Sequence, residues 1–157
     1  MKSIFDSIIT FLLGFLSCVA IFISISLSGN EIPLGLGISN PSPSNWISEE
    51  DIILLKDKII ININNAELSY YSPTGSMRPT LDEGANGIRI TPTNSDDINI
   101  GDIISFNRDG ILIVHRVIGK GYDENGLYFI TKGDNNNFSD GKVRFSDIKY
   151  ITIGILY

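Results

Sequence analysis

Ile103-Ile104-Ser105-Phe106-Asn107-Arg108-Asp109-Gly110-Ile111-Leu112-Ile113-Val114-His115-Arg116-Val117-Ile118 reads as two strands joined by a turn. The flanks, 103–107 and 111–118, are β-branched and aromatic. Asn107-Arg108-Asp109-Gly110 between them supplies turn chemistry. The same texture continues outward. Short isoleucine-rich runs at 52–56, 58–63, 87–91, 127–132 and 150–156 are broken by Asn64-Asn65, Asp123-Glu124-Asn125-Gly126 and Gly133-Asp134-Asn135-Asn136-Asn137. Strands at roughly ten-residue spacing, without an amphipathic helical pattern, predict a mainly antiparallel β domain over residues 50–157.

Upstream the pattern changes. From Ser7 to Asn30 there is no charged residue, and Ile8–Ser28 is apolar apart from Ser and Thr. As a helix those 21 residues would reach about 31 Å at ~1.5 Å per residue, matching a hydrocarbon core of about 30 Å. A cleavable leader has a shorter apolar region, about 7–15 residues, and a clearer small-residue exit. The run is therefore read as a single transmembrane anchor, with residues 1–28 forming a short tip and the span. Lys2 precedes it and no further base occurs before Lys56. The positive-inside rule places the N-terminus in the cytoplasm and the β domain outside, at the cell membrane. Residues 29–49, rich in Gly, Pro, Ser and Asn, read as an extended linker. Trp46 is compatible with the membrane interface or with capping the folded domain.

Composition removes several functions. The net charge of the 157 residues is −6, and no basic tract occurs, so nucleic acid is not an expected partner. One Cys (Cys18, inside the apolar run) and one His (His115) leave no disulfide within the chain and no His-rich zinc site. No metal and no cofactor is expected, and the chemistry must draw on Ser, Asp, Glu, Lys or His115.

Three segments depart from strand-and-turn texture. Ser72-Pro73-Thr74-Gly75-Ser76-Met77-Arg78-Pro79-Thr80 holds a Ser after Gly between prolines, where a nucleophilic hydroxyl and a free backbone N–H can be presented together. Taken alone, most such turns are only turns. His115 sits in an apolar strand, where a hydrogen-bonded core histidine is the ordinary outcome. Gly133-Asp134-Asn135-Asn136-Asn137-Phe138-Ser139-Asp140 is an acidic turn of a kind usually just solvated.

Taken in order, these segments resemble the type I signal peptidase family of membrane serine proteases. Thr74-Gly75-Ser76-Met77-Arg78-Pro79-Thr80 is similar to its S-x-S-M-x-P-T motif, with Thr replacing the first Ser. Asp82–Gly87 and Gly101-Asp102-Ile103-Ile104 resemble the following turn and strand start. His115-Arg116-Val117-Ile118 occupies the place of K-R-hydrophobic in the bacterial branch, and Gly133-Asp134-Asn135-Asn136 with Asp140 resembles the final G-D-N motif. His at the base position marks the archaeal and endoplasmic-reticulum branch. The likeness covers roughly residues 69–140.

The resemblance implies an antiparallel β catalytic domain behind one transmembrane helix, and an enzyme that removes signal peptides from exported preproteins. It implies Ser76 as nucleophile, His115 as general base, and Asp140 or Asp134 as the acid orienting the imidazole, with Asp140 favoured. The Ser76 N–H and Thr74 hydroxyl become candidates for the oxyanion site, with Met77 beside the substrate. Lys120 and Lys132 are bases only in principle, and Arg78, Asp102 and Arg116 are expected in structural contacts. The implied partners are preprotein signal peptides and the lipid bilayer. The family's eukaryotic members work in complexes, so partner subunits are compatible with the likeness. Two alternatives stand beside this reading: a processing peptidase dedicated to few substrates, and a non-catalytic membrane-tethered β module that binds apolar segments.

Overall fold

The computed structural model describes residues 2–27 and 39–157. The chain divides into two compact units, Met1–Ser39 and Asn40–Tyr157. The expected linker's residues 29–38 lie outside the described part.

Within the first unit, helix α1 runs Lys2–Leu27. Its stretch Ile4–Ser24 is 21 residues with mean hydropathy 2.4, long and apolar enough to cross a membrane. The helix begins earlier than the charge-free run because Ile4 and Phe5 continue its apolar surface. Its hydroxyls do not break it. Thr10 donates to Asp6 O, Ser17 to Gly14 O and Ser24 to Ala20 O, each at 2.8 Å, so these polar groups are satisfied within the helix itself.

The second unit is antiparallel β. Strands β1 (Ile52–Leu54) and β2 (Ile59–Ile61) form a separate hairpin whose residues are all exposed. The main sheet contains β3 (Glu67–Tyr70), β4 (Asn86–Ile90), β5 (Ile103–Arg108), β6 (Ile111–Asp123), β7 (Gly126–Lys132), β8 (Gly141–Val143) and β9 (Ile148–Leu156). Their order is β3-β4-β9-β5-β6-β7-β8.

Central β5 explains its own sequence. Both faces are covered, so Ile103, Ile104, Ser105 and Phe106 are consecutively buried rather than alternating. Ile104 and Phe106 join Ile98, Val117, Phe129, Val143, Ile148 and Ile151 in one cluster, against which Trp46 packs. Ile103 joins Met77 and Leu81 in the other. Each large apolar side chain buried this way contributes about 1.5–3 kcal/mol. The β5–β6 turn is Asp109-Gly110, both at positive φ (53° and 81°), the geometry that two-residue hairpin loops require. Residues 40–49 are part of this unit, with Ser44 N–H and Trp46 Nε1–H donating to Asp102 Oδ1 at 2.7 and 3.4 Å. Trp46 thus meets the domain core.

Candidate active site

The loop between β3 and β4 carries Ser76. Gly75 turns it with φ 72°, and the Arg78 N–H closes the turn onto Gly75 O at 3.3 Å. Met77 and Leu81, 4% and 3% exposed, anchor the loop by packing on Ile103. A glycine turn just ahead of these two core anchors leaves the Ser76 hydroxyl outside the core.

His115 projects from β6, paired with Ile104 of β5. Its side chain is 8% exposed, and its ring lies 6.5 Å from that of Phe106. Nδ1 is 2.6 Å from Asp140 Oδ2, and Nε2 is 3.2 Å from Ser76 Oγ. A carboxylate only accepts, so Nδ1 carries the ring proton and Nε2 is left to accept from the serine hydroxyl. Asp140 Oδ2 also accepts from the Thr131 hydroxyl at 2.8 Å. The Asp140 backbone is pinned on both sides: its N–H donates to Thr131 O at 2.8 Å, and Arg108 Nη1 donates to its carbonyl.

Asp134 belongs to a different set. Arg116 donates to it through Nε (2.8 Å) and Nη2 (2.7 Å), and the Thr80 hydroxyl donates at 2.6 Å. The Asp134 side chain is 1% exposed and that of Arg116 5%. Burial pushes the Asp134 carboxyl up, but the hydrogen bonds from Arg116 and Thr80, with the charges of Arg116 and Lys132, outweigh it. They hold the group below the usual carboxylate value. The next residue secures the nucleophile loop: Asn135 N–H donates to Ser76 O (2.9 Å) and Asn135 Nδ2 to Gly75 O (3.1 Å).

Of the residues singled out by sequence, Ser76, His115 and Asp140 therefore meet in one relay. Asp134 lies in an ion pair that supports the loop. Thr74 Oγ1 lies 3.2 Å from Ser76 Oγ and 3.5 Å from Ser76 N. Met77 is buried, yet lines a cleft of about 510 Å³ with Thr74, Ser76, His115, Tyr71 and Ile113. Lys132 donates to Gly133 O and Asn136 O, and Lys120 to Asp96 O and Ile98 O. Arg78 pairs with Asp82 at 2.6 Å, and Asp102 gathers hydrogen bonds away from the relay. Thr80 and Asn135 stand inside the motifs quoted from the sequence but carry no assigned role there, and Thr131 is not singled out at all, because a strand Thr has no spacing that announces a partner. No cluster of three or more His, Cys, Asp or Glu able to hold a metal occurs among the described residues.

The order of contacts, hydroxyl to imidazole to carboxylate, is that of a Ser-His-Asp hydrolase site set on an antiparallel β domain. No protein-family model matches the chain. It is 41% identical over 70 residues to the signal peptidase complex catalytic subunit SEC11C of Homo sapiens and to that of Mus musculus, covering 43% of this chain and 36% of each relative. To the signal peptidase complex catalytic subunit SEC11 of Yarrowia lipolytica it is 28% identical over 90 residues, 53% of this chain and 51% of the relative. The chain thus spans about a third to a half of the curated relatives it matches. Its homologues are catalytic subunits of the signal peptidase complex.

Proposed function

We propose that this chain is a membrane-bound serine endopeptidase that removes signal peptides from exported preproteins. The observation that carries the reading is the relay from Ser76 Oγ through His115 to Asp140, at 3.2 and 2.6 Å. Ser76 Oγ attacks the scissile carbonyl as its proton passes to His115 Nε2, and Asp140 stabilises the resulting imidazolium. Collapse of the tetrahedral adduct breaks the C–N bond. His115 gives the proton to the leaving amine, and a water activated by the same nitrogen then releases the acyl group from Ser76. The Ser76 N–H and the Thr74 hydroxyl, both beside Oγ, turn toward the oxyanion.

The substrate's extended segment adds as a strand along Ile111–His115. The β6–β7 pairing starts only at Arg116↔Lys132, so that edge of β6 is free on the cleft side. Met77 and Tyr71 lie where side-chain pockets would select small residues. With α1 in the bilayer, the N-terminus cytoplasmic and the β domain outside, site and substrate share one membrane surface, which raises their effective concentration. The named relatives are subunits of a complex, and partner subunits extend to this chain on the same grounds.

The test is cleavage of a labelled preprotein by the detergent-solubilised full chain, compared with Ser76→Ala and His115→Ala. Each substitution should lower the rate by about 10³-fold or more, and the double variant should be no worse than either single, since the groups act as a unit. Undiminished cleavage in either single variant would remove this mechanism.

A further inference from the structure

Between the helical unit and the first hairpin, residues 41–46 are bound into the β domain with more hydrogen bonds than a linker needs. The Asp102 side chain lies within a fully buried residue. It accepts from Ser44 N–H (2.7 Å), the Ser44 hydroxyl (3.3 Å), Trp46 Nε1–H (3.4 Å) and Asn99 N–H (2.8 Å). Three of these four donors come from the segment. At Gly101 the contact is backbone on backbone: φ is +106°, and a Cβ there would stand 1.9 Å from Ser42 O. Arg116 completes the attachment. A guanidinium has five N–H donors, and buried Arg116 finds five acceptors. Three are Asp134 Oδ1, Asp134 Oδ2 and Thr80 Oγ1. The others are Gly101 O at 2.8 Å and Pro41 O at 3.1 Å.

We infer that residues 41–46 form a positioning strap for the Ser76 loop, acting through Arg116. The inference rests on the proposed role of Ser76. The path is continuous. Pro41 O holds one end of Arg116, whose other end holds Asp134 and Thr80. Thr80 is itself a residue of the nucleophile loop, and the Asp134-Asn135 turn donates to Ser76 O and Gly75 O. Releasing the strap leaves a buried guanidinium N–H without an acceptor, so Arg116 must shift toward water. Asp134 and the loop move with it. A displacement of about 1 Å at the nucleophile costs about 10²-fold in rate.

Trp46 is the sole tryptophan of the chain and packs on the core cluster, so its emission reports strap docking directly. The experiment uses the full chain in detergent with a soluble peptide substrate, and compares Ser44→Pro, which deletes the 2.7 Å donor, with Asp102→Asn and with Ser44→Ala, which keeps the N–H. In Ser44→Pro and Asp102→Asn the Trp46 emission should move to the red. kcat should fall about tenfold or more with KM within about twofold, and the Asn135 amide should exchange at least tenfold faster. Ser44→Ala should restore most of the rate. Red-shifted emission in a folded domain with unchanged kcat and Asn135 exchange overturns the inference, as does lost rate with emission unmoved. If Asp102→Asn does not fold, Ser44→Pro decides. If the unsubstituted chain cleaves nothing, the peptidase reading fails, and Asn135 exchange still decides whether the strap holds the loop.

Discussion

The Asp140 carboxylate accepts from His115 and Thr131 beside the cleft, whereas the Asp134 carboxylate is sealed against Arg116 and Thr80. Replacing each by Asn separates their contributions. Asp140→Asn presents an amide to Nδ1, favours the wrong tautomer and should cost about 10⁴-fold in kcat with little loss of stability. Asp134→Asn strands a buried guanidinium and should cost about 3–5 kcal/mol in unfolding free energy. The reverse pattern, in kinetics and melting, would exchange the two roles. Asp134 also sets an acid limit. Its folded pKa is lowered, so its stabilisation is complete above the unfolded value and is lost as pH falls through the folded one. Melting temperature should therefore drop below about pH 4, and the drop should be shallower in Asp134→Asn. Sequence motifs supplied both acids, with Asp140 favoured over Asp134 through the resemblance. The different surroundings of the two acids come from Arg116 and Thr131, which lie on different strands, β6 and β7.

At the scale of elements, the turn 133–137 meets the Ser76 loop through Gly133, where a Cβ would lie 2.5 Å from Ser76 O and 2.7 Å from Asn136 Nδ2. The nearer neighbour is backbone and cannot swing aside. Gly133→Ala should push the nucleophile loop off line and lower kcat by about 10–100-fold. Gly119→Ala, whose Cβ would meet Ile130 at an ordinary 3.4 Å, should stay near the unsubstituted rate. Parallel steady-state assays distinguish the two. The same scale shows how much of the sheet was legible. The strands with long β-branched runs, β4, β5, β6, β7 and β9, lie where sequence put them, because burial on the sheet and Asn/Asp/Gly turns both leave marks in composition. Strands β3 and β8 were not foreseen. Glu67-Leu68-Ser69-Tyr70 and Gly141-Lys142-Val143 are strands because β4 and β7 offer them ladders, a long-range cause with little local trace. For the same reason β6 extends to Asp123 through Gly119-Lys120-Gly121, residues with weak strand preference that β7 holds in register. Residues 40–49 looked like linker because Pro, Ser and Asn suit one, and only buried Asp102 shows what the segment binds.

Across the whole molecule, an apolar helix and a β domain with a Ser-His-Asp relay make a division of labour that one substitution can separate. In α1 the stretch Ile4–Ser24 has a mean hydropathy of 2.4, and Leu13 is near its middle. An arginine there costs about 2.5–3.5 kcal/mol on insertion scales, enough to lower the inserted fraction of a single short span. Within the β unit, Ser76, His115 and Asp140 are held by the loop, by β6 and by Thr131. Leu13→Arg should therefore reduce the share of protein that sediments with membranes, and reduce processing of a membrane-inserted preprotein by a similar factor. Cleavage of a soluble peptide by the detergent-solubilised chain should remain within about twofold, since no catalytic barrier is altered. Equal loss in both assays would mean that the helix contributes to the chemistry. Loss in neither would mean that tethering gives no concentration advantage.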